Sequence, residues 1–258
     1  MLRNISIKEL YVLALAEGEG VGTAYEYFAK RLTLGRWLKD KKRPSSILIA
    51  GLPQKYGTSL DFLQLAEELG AAVTIVDERP SILEKSQNAL EAAQKEGWLT
   101  AVSPTLIPVE KMGELEGING RFDLCISSEV MQRLPENERE YYLTRLTKLS
   151  PTIALFMPNG DNSAHTEISG LSGLRLDELQ TLSQTCNLAN LQTDYIDMPP
   201  FPPGITRDED QREQATSGKA EAVAMWGLGY YARMEKLFPT AVRRNHAHIV
   251  YSLSAGKK

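Results

Sequence analysis

The sequence predicts an α/β fold, doubly wound, with a mostly parallel sheet and helices on both faces. Three observations predict it. From residue 46 to residue 197 short apolar runs alternate with amphipathic stretches of helical period, the order that βαβ units produce. The runs at 46–50, 122–127 and 152–157 are nearly unbroken, as strands covered on both faces are. Glycine or proline separates runs from helical stretches, as at Pro44, Gly70, Pro80, Gly97 and Pro135.

Taken in order, 7–17 and 22–39 read as two helices with faces carrying Tyr11 and Leu15, then Tyr25, Phe28, Leu32 and Trp37. Residues 46–50 are the first strand. Thr58 or Ser59 caps a helix through 60–69 that stops at Gly70. Residues 72–76 are a strand, and Pro80 opens a helix with Leu83, Leu90 and Ala93 inward and Gly97 at its close. A short strand is expected near 99–103. Then come a strand at 122–127, a helix opened by Pro135 and Glu136, and a strand at 152–157. A helix at 175–187 and a strand at 191–197 complete the alternation. Residues 199–219, "PPFPPGITRDEDQREQATSGK", are too long for a simple connection, and a helix near 220–237 and an alternating strand at 247–253 follow.

Composition narrows the functions. A chain of 258 residues can bury a full core, and its net charge of −4 argues against a nucleic-acid partner, which needs a basic stripe. The one basic run, Lys39 to Arg43, reads as a solvated helix end. Cys125 and Cys186 form neither a disulfide framework nor a metal pattern, and Cys125 reads as a buried small hydrophobe. The first twenty residues are too polar for a signal peptide or membrane span, so a cytoplasmic protein with no membrane partner is expected. The oligomeric state is open, a homodimer being one option.

In an open α/β sheet ligands bind beyond the carboxyl ends of the strands. Three such ends carry candidate residues. The first is the loop "GLPQKYG", with Gly51 and Gly57. The second holds Asp77 and Glu78; Asp77 either accepts hydrogen bonds from an adenosine ribose or caps the next helix. The third is Ser127, Ser128 and Glu129, which line a cofactor or cap a helix.

The segments "VTIVDERPSILEKSQNALEAA" and "FDLCISSEVMQRLPENEREYYLTRLTKLSPTIALFMPN" resemble the class I S-adenosylmethionine-dependent methyltransferases, over about residues 45–198. The resemblance implies a Rossmann-like sheet of seven strands, the last antiparallel and inserted beside the sixth. The first 44 residues read from their elements as a helical appendage or cap, and the resemblance makes 45–258 the methyltransferase domain, with 199–245 an insertion or lid between the last two strands. The resemblance also implies S-adenosylmethionine as cofactor and S-adenosylhomocysteine as product. The glycine-rich loop departs from the family pattern: Ile49 stands at the expected acid and Pro53 at the second glycine. Pro53 has no N–H to donate and no freedom for positive φ. After the third strand, Ser103 and Thr105 stand where an acid is expected.

Methyl transfer asks mainly for in-line placement of the acceptor, plus a base where the acceptor carries a proton. Asn159, Asp161, Asn162 and His165 follow the fifth strand; His165 is the catalytic candidate and Asn159 and Asn162 substrate contacts, though a loop histidine making one hydrogen bond has the same pattern. His246 and His248 read as facing solvent or a helix. Tyr25, with Tyr27, either closes over the substrate or packs. Phe201 and Ile205, on the 199–219 loop, either cover the site or belong to a surface loop. The acids Asp208, Glu209 and Asp210 read as a solvated run, not a metal site. The leading expectation is methyl transfer to a small molecule. The alternatives are an inactive methyltransferase-like binding or regulatory protein, a nicotinamide-dependent oxidoreductase, and methylation of a macromolecule.

Overall fold

The structure, a computed structural model, describes residues 3–53, 58–200 and 219–255, with backbone alone for 219–224. The helices are α1 (Ile7–Ala16), α2 (Val21–Leu38), α3 (Leu60–Leu69), α4 (Pro80–Lys95), α5 (Glu136–Leu149), α6 (Ser163–Ser169), α7 (Leu176–Thr185), α8 (Lys219–Met234) and α9 (Thr240–His246). The strands are β1 (Ser46–Ala50), β2 (Ala72–Asp77), β3 (Thr105–Pro108), β4 (Leu124–Ser128), β5 (Thr152–Pro158), β6 (Gln192–Ile196) and β7 (Ile249–Ala255). They form one sheet in the order β3-β2-β1-β4-β5-β7-β6. All run parallel except β7, which pairs antiparallel with β5 (Thr152 opposite Ala255) and β6 (Gln192 opposite Leu253). The order reverses between β1 and β4, which leaves a crevice at their carboxyl ends.

Strand alternation divides the core in two. Ile47, Ile49, Ile75, Ile126 and Phe156 face the layer of α1, α2, α3, α4 and α8. Leu48, Ala50, Val76, Cys125 and Leu155 face the layer of α5 and α7. Buried Cys125 sits in this second core, its thiol pushed up by burial. The first two helices build directly on the sheet's first core. Tyr25, Phe28 and Leu34 of α2 are buried there, each contributing about 1.5–3 kcal/mol. Ser6 begins α1 with a capping box to Glu9, and Gly70, at φ 60°, ends α3.

The third strand lies later than 99–103. Leu99 and Val102 are buried beneath α4, but Leu99 has φ 54° and Gln94 Nε2 donates to the carbonyls of both, so this apolar pair is a side-chain-tied turn. Pairing starts at Thr105, opposite Thr74. The fourth strand begins at Leu124, because the Asp123 carboxylate accepts from the N–H groups of Ser45 and Ser46 and ties the entrance instead. Short helices α6 and α9 occupy stretches where no element was expected, and β7 starts at Ile249, two residues later than expected. Among the described residues no helix is long and apolar enough to cross a membrane.

Candidate functional site

The turn after β1 is made by Gly51 at φ 85°, a conformation that favours glycine. A Cβ there would lie 2.5 Å from Val130 Cγ2 and 3.3 Å from both Arg133 Nη2 and Met112 Cε. The bare face of this glycine is therefore covered by the chain's own side chains. Asp77 ends β2 with no exposure. Its Oδ1 accepts from Arg79 N at 2.9 Å and Arg79 Nε at 2.8 Å; its Oδ2 accepts from Leu52 N at 2.8 Å, Arg79 Nη2 at 2.9 Å and Arg133 Nη2 at 3.2 Å. Burial works against the charge, but Arg79 and Arg133 outweigh it and hold the carboxyl below its ordinary range. Five donors saturate a carboxylate, which offers about four lone-pair positions. Glu78 receives Arg133 Nη1 at 2.5 Å and the N–H of Met112 at 2.8 Å. Gly57 lies outside the described residues.

A second set lies beside this one, at the carboxyl end of β4 and under α2. Lys30 is 1% exposed and donates to Glu26 at 2.5 Å and to Ser128 Oγ at 2.9 Å. Its ammonium also faces the rings of Phe62 at 5.7 Å and Phe156 at 5.9 Å. Burial disfavours this cation, yet Glu26, Asp61 and Glu129 prevail and raise its pKa above the lysine norm. Asp61, in the first turn of α3, is pushed up to about 7 by burial, which Lys30 only partly offsets. Burial likewise pushes Glu17 up to about 7 although Tyr27 and the Leu60 N–H donate to it. Glu129 takes φ 54°, and its N–H reaches the Phe156 carbonyl at 2.8 Å. With Glu26, Pro158, His165, Leu171 and His248 it lines a void of about 10 Å³, room for about one water.

The remaining candidates divide. His165 stacks on His248, ring centroids 4.1 Å apart and planes at 8°, and His248 Nδ1 lies 3.3 Å from Asp197. Burial raises Asp197, which His248 opposes. Tyr25 donates to Glu235, itself pushed up to about 7 by burial, and Glu235 accepts from the N–H groups of Asp197 and Met198. Asn159 is wholly buried; its amide donates at 2.8 Å to the carbonyls of Arg244 and Ala247, clamping β5 to the start of β7. Asn162 caps α6 through the His165 N–H and also donates to Ala247. These two amides serve the backbone. Ser127 faces the other core, 2.8 Å from Tyr142 OH, because neighbours on a strand point to opposite faces. His246 is exposed. Phe201 and Ile205, with the acids at 208–210, lie outside the described residues.

The structure therefore joins Ser128, Glu129 and His165 with groups that the sequence did not single out: Glu17, Glu26, Lys30, Asp61 and Asp197. Their signal was charge at unexpected places, Glu26 and Lys30 one turn apart on a helix otherwise read as core. Among the described residues no group of three His, Cys, Asp or Glu side chains could hold a metal ion.

No family model and no curated protein matches the sequence. Solved structures match by shape. The methyltransferase domain of bacterial CtHen1-CN is 12% identical, with 88% of this chain and 97% of that one covered and a TM-score of 0.52. A SAM-dependent methyltransferase from Archaeoglobus fulgidus is 14% identical over 90% of this chain and 94% of that one, TM-score 0.52. Phosphoethanolamine N-methyltransferase 2 of Haemonchus contortus, solved with S-adenosyl-L-methionine, is 15% identical over 88% of this chain and 52% of that one, TM-score 0.51. With its strand order and inserted antiparallel β7, the chain has the class I methyltransferase fold.

Proposed function

We propose that the chain is an S-adenosylmethionine-dependent methyltransferase acting on a small-molecule acceptor. The observation that carries this reading is the buried Lys30, tied to Ser128 at the carboxyl end of β4 and ringed by Glu26, Asp61 and Glu129. Buried ion clusters contribute little to stability over apolar packing, so one placed at the sheet's ligand-binding crevice favours chemistry. Asp61, near 7, takes and returns a proton at neutral pH, and Lys30 holds the negative charge that arises when an acceptor loses its proton. The void beside the cluster holds about one water, so an acceptor reaches Lys30 only when its cover opens; the acidic chain supports a small acceptor.

The cofactor, when bound, supplies the electrophilic methyl group. Asp77 and Glu78 have the right chemistry to hold an adenosyl ribose, but in this conformation their oxygens are taken by Arg79, Arg133 and backbone N–H groups. Arg133 must leave Asp77 before a ribose can replace it. That closure, with Val130 seated on Gly51, favours a second reading, a methyltransferase-like binding protein without catalysis.

Calorimetric titration with S-adenosylhomocysteine separates the two. Methyl transfer predicts binding near micromolar, weakened about tenfold or more by Asp77→Asn and strengthened by Arg133→Ala, which removes the competitor. No binding by either the native chain or Arg133→Ala would overturn the first reading and leave the second.

A further inference from the structure

A cavity of about 410 Å³ opens at the opposite edge of the sheet, among α2, α3 and the segment before α1. It is lined by Lys41, Arg43, Pro44, Glu68 and Leu69, which immediately precede β1 and β2, so it lies at their amino ends, away from the crevice described above. Its walls carry Arg3, Arg31, Arg36, Lys39, Lys41 and Arg43 against one carboxylate, Glu68. In a chain of net charge −4 this is a local reversal of sign. Phe28, Leu32, Leu38 and Leu69 give it an apolar floor.

Glu68 is already engaged. It pairs with Arg31 Nη2 and accepts from the Arg3 N–H at 3.2 Å. Arg43 is turned onto the carbonyls of Leu69 and Glu68. Arg36 and Lys39, both exposed, make no ion pair among the described residues. The decisive group is Arg31. It is 6% exposed, it lines the cavity, and its Nη1 is buried without a hydrogen-bond partner. A buried guanidinium N–H left unmatched costs free energy, which an oxygen acceptor recovers once the Arg31 side chain turns Nη1 toward the cavity.

We propose that this cavity is a second ligand site, built for a phosphate monoester with a compact apolar body. The size lies within the range of small-ligand sites, about 300–1,000 Å³. Guanidinium groups match phosphate oxygens in geometry, and a dianion answers the surplus of cations better than a carboxylate does. The apolar floor seats the ester group.

Calorimetry on the full chain, in a buffer free of phosphate, tests this with phenyl phosphate, inorganic phosphate and benzoate as probes. Phenyl phosphate is expected to bind about tenfold or more tighter than either of the others. Arg31→Met should abolish that binding. The exposed double variant Arg36→Gln/Lys39→Gln should weaken it about tenfold while leaving the circular dichroism and melting temperature unchanged, so a folding failure in Arg31→Met cannot mask the result. Saturating S-adenosylhomocysteine should leave the binding unaltered. The proposal is overturned if phenyl phosphate fails to bind, if it binds no better than inorganic phosphate or benzoate, if the double variant binds as the native chain does, or if S-adenosylhomocysteine competes with it.

Discussion

Replacing Glu17 by glutamine should stabilise the protein at alkaline pH and leave it unchanged in acid. Glu17 sits at the end of α1, 6% exposed, accepting from Tyr27 OH and from the Leu60 N–H at 3.0 Å. Burial moves its pKa from 4.5 to about 7, so between those values the folded chain holds a proton that the unfolded chain has released. Stability from this group is complete below pH 4.5 and is lost as pH rises through about 7. The interval corresponds to about 3 kcal/mol at most. Glutamine keeps an acceptor for Leu60 and offers its amide to the Tyr27 oxygen, so it preserves the contacts without ionising. Urea denaturation of both proteins at pH 4.5 and pH 8 should show an advantage of about 1–3 kcal/mol for Glu17→Gln at pH 8 only. At about 2–4 °C per kcal/mol the melting temperature should follow. An equal advantage at both pH values, or a loss at pH 8, would show that ionising Glu17 does not cost the folded state stability and would refute the reasoning.

Two further perturbations probe the same edge. Lys30→Met leaves Glu26, Asp61 and Glu129 without their shared cation and should cost about 3–5 kcal/mol at pH 8, less at pH 5 where Asp61 holds a proton; a loss independent of pH in denaturant titrations would mean that Lys30 acts by packing alone. Gly51→Ala places a Cβ 2.5 Å from Val130 Cγ2 at φ 85° and should cost about 1–3 kcal/mol or more. Adding Val130→Ala should restore part of that in a double-mutant cycle, and strictly additive losses would show that the contact does not matter.

The sheet was legible because its central strands are buried on both faces and therefore read as continuous apolar runs. β3 was not, since it is a half-exposed edge strand whose Thr105 and Pro108 carry little apolar signal, whereas Leu99 and Val102 are apolar for another reason, packing under α4. The position of Asp77 was legible from the end of its strand. Its partners were not: Arg133 is 56 positions distant, and no local spacing announces that pairing. The lysine cluster was hidden for a different reason. Glu26 and Lys30 at i and i+4 are the pattern of a solvated helix face, and only the closing of α2 onto the sheet turns that ordinary pair into a buried one.

That burial also explains why the two halves of the site must be considered together. Residues 129–133 connect them. Glu129 enters the lysine cluster in a left-handed conformation, Val130 covers Gly51, and Arg133 ends the short 3₁₀ turn by binding Asp77 and Glu78. No long element separates these contacts, so Arg133 cannot leave Asp77 by backbone movement without disturbing Glu129. A side-chain rotation alone would leave Glu129 in place. Whether S-adenosylhomocysteine binding changes the ionisation of the lysine cluster therefore distinguishes the two kinds of opening. Proton uptake or release, measured by titrating in buffers of different ionisation enthalpy, should accompany the first kind and not the second.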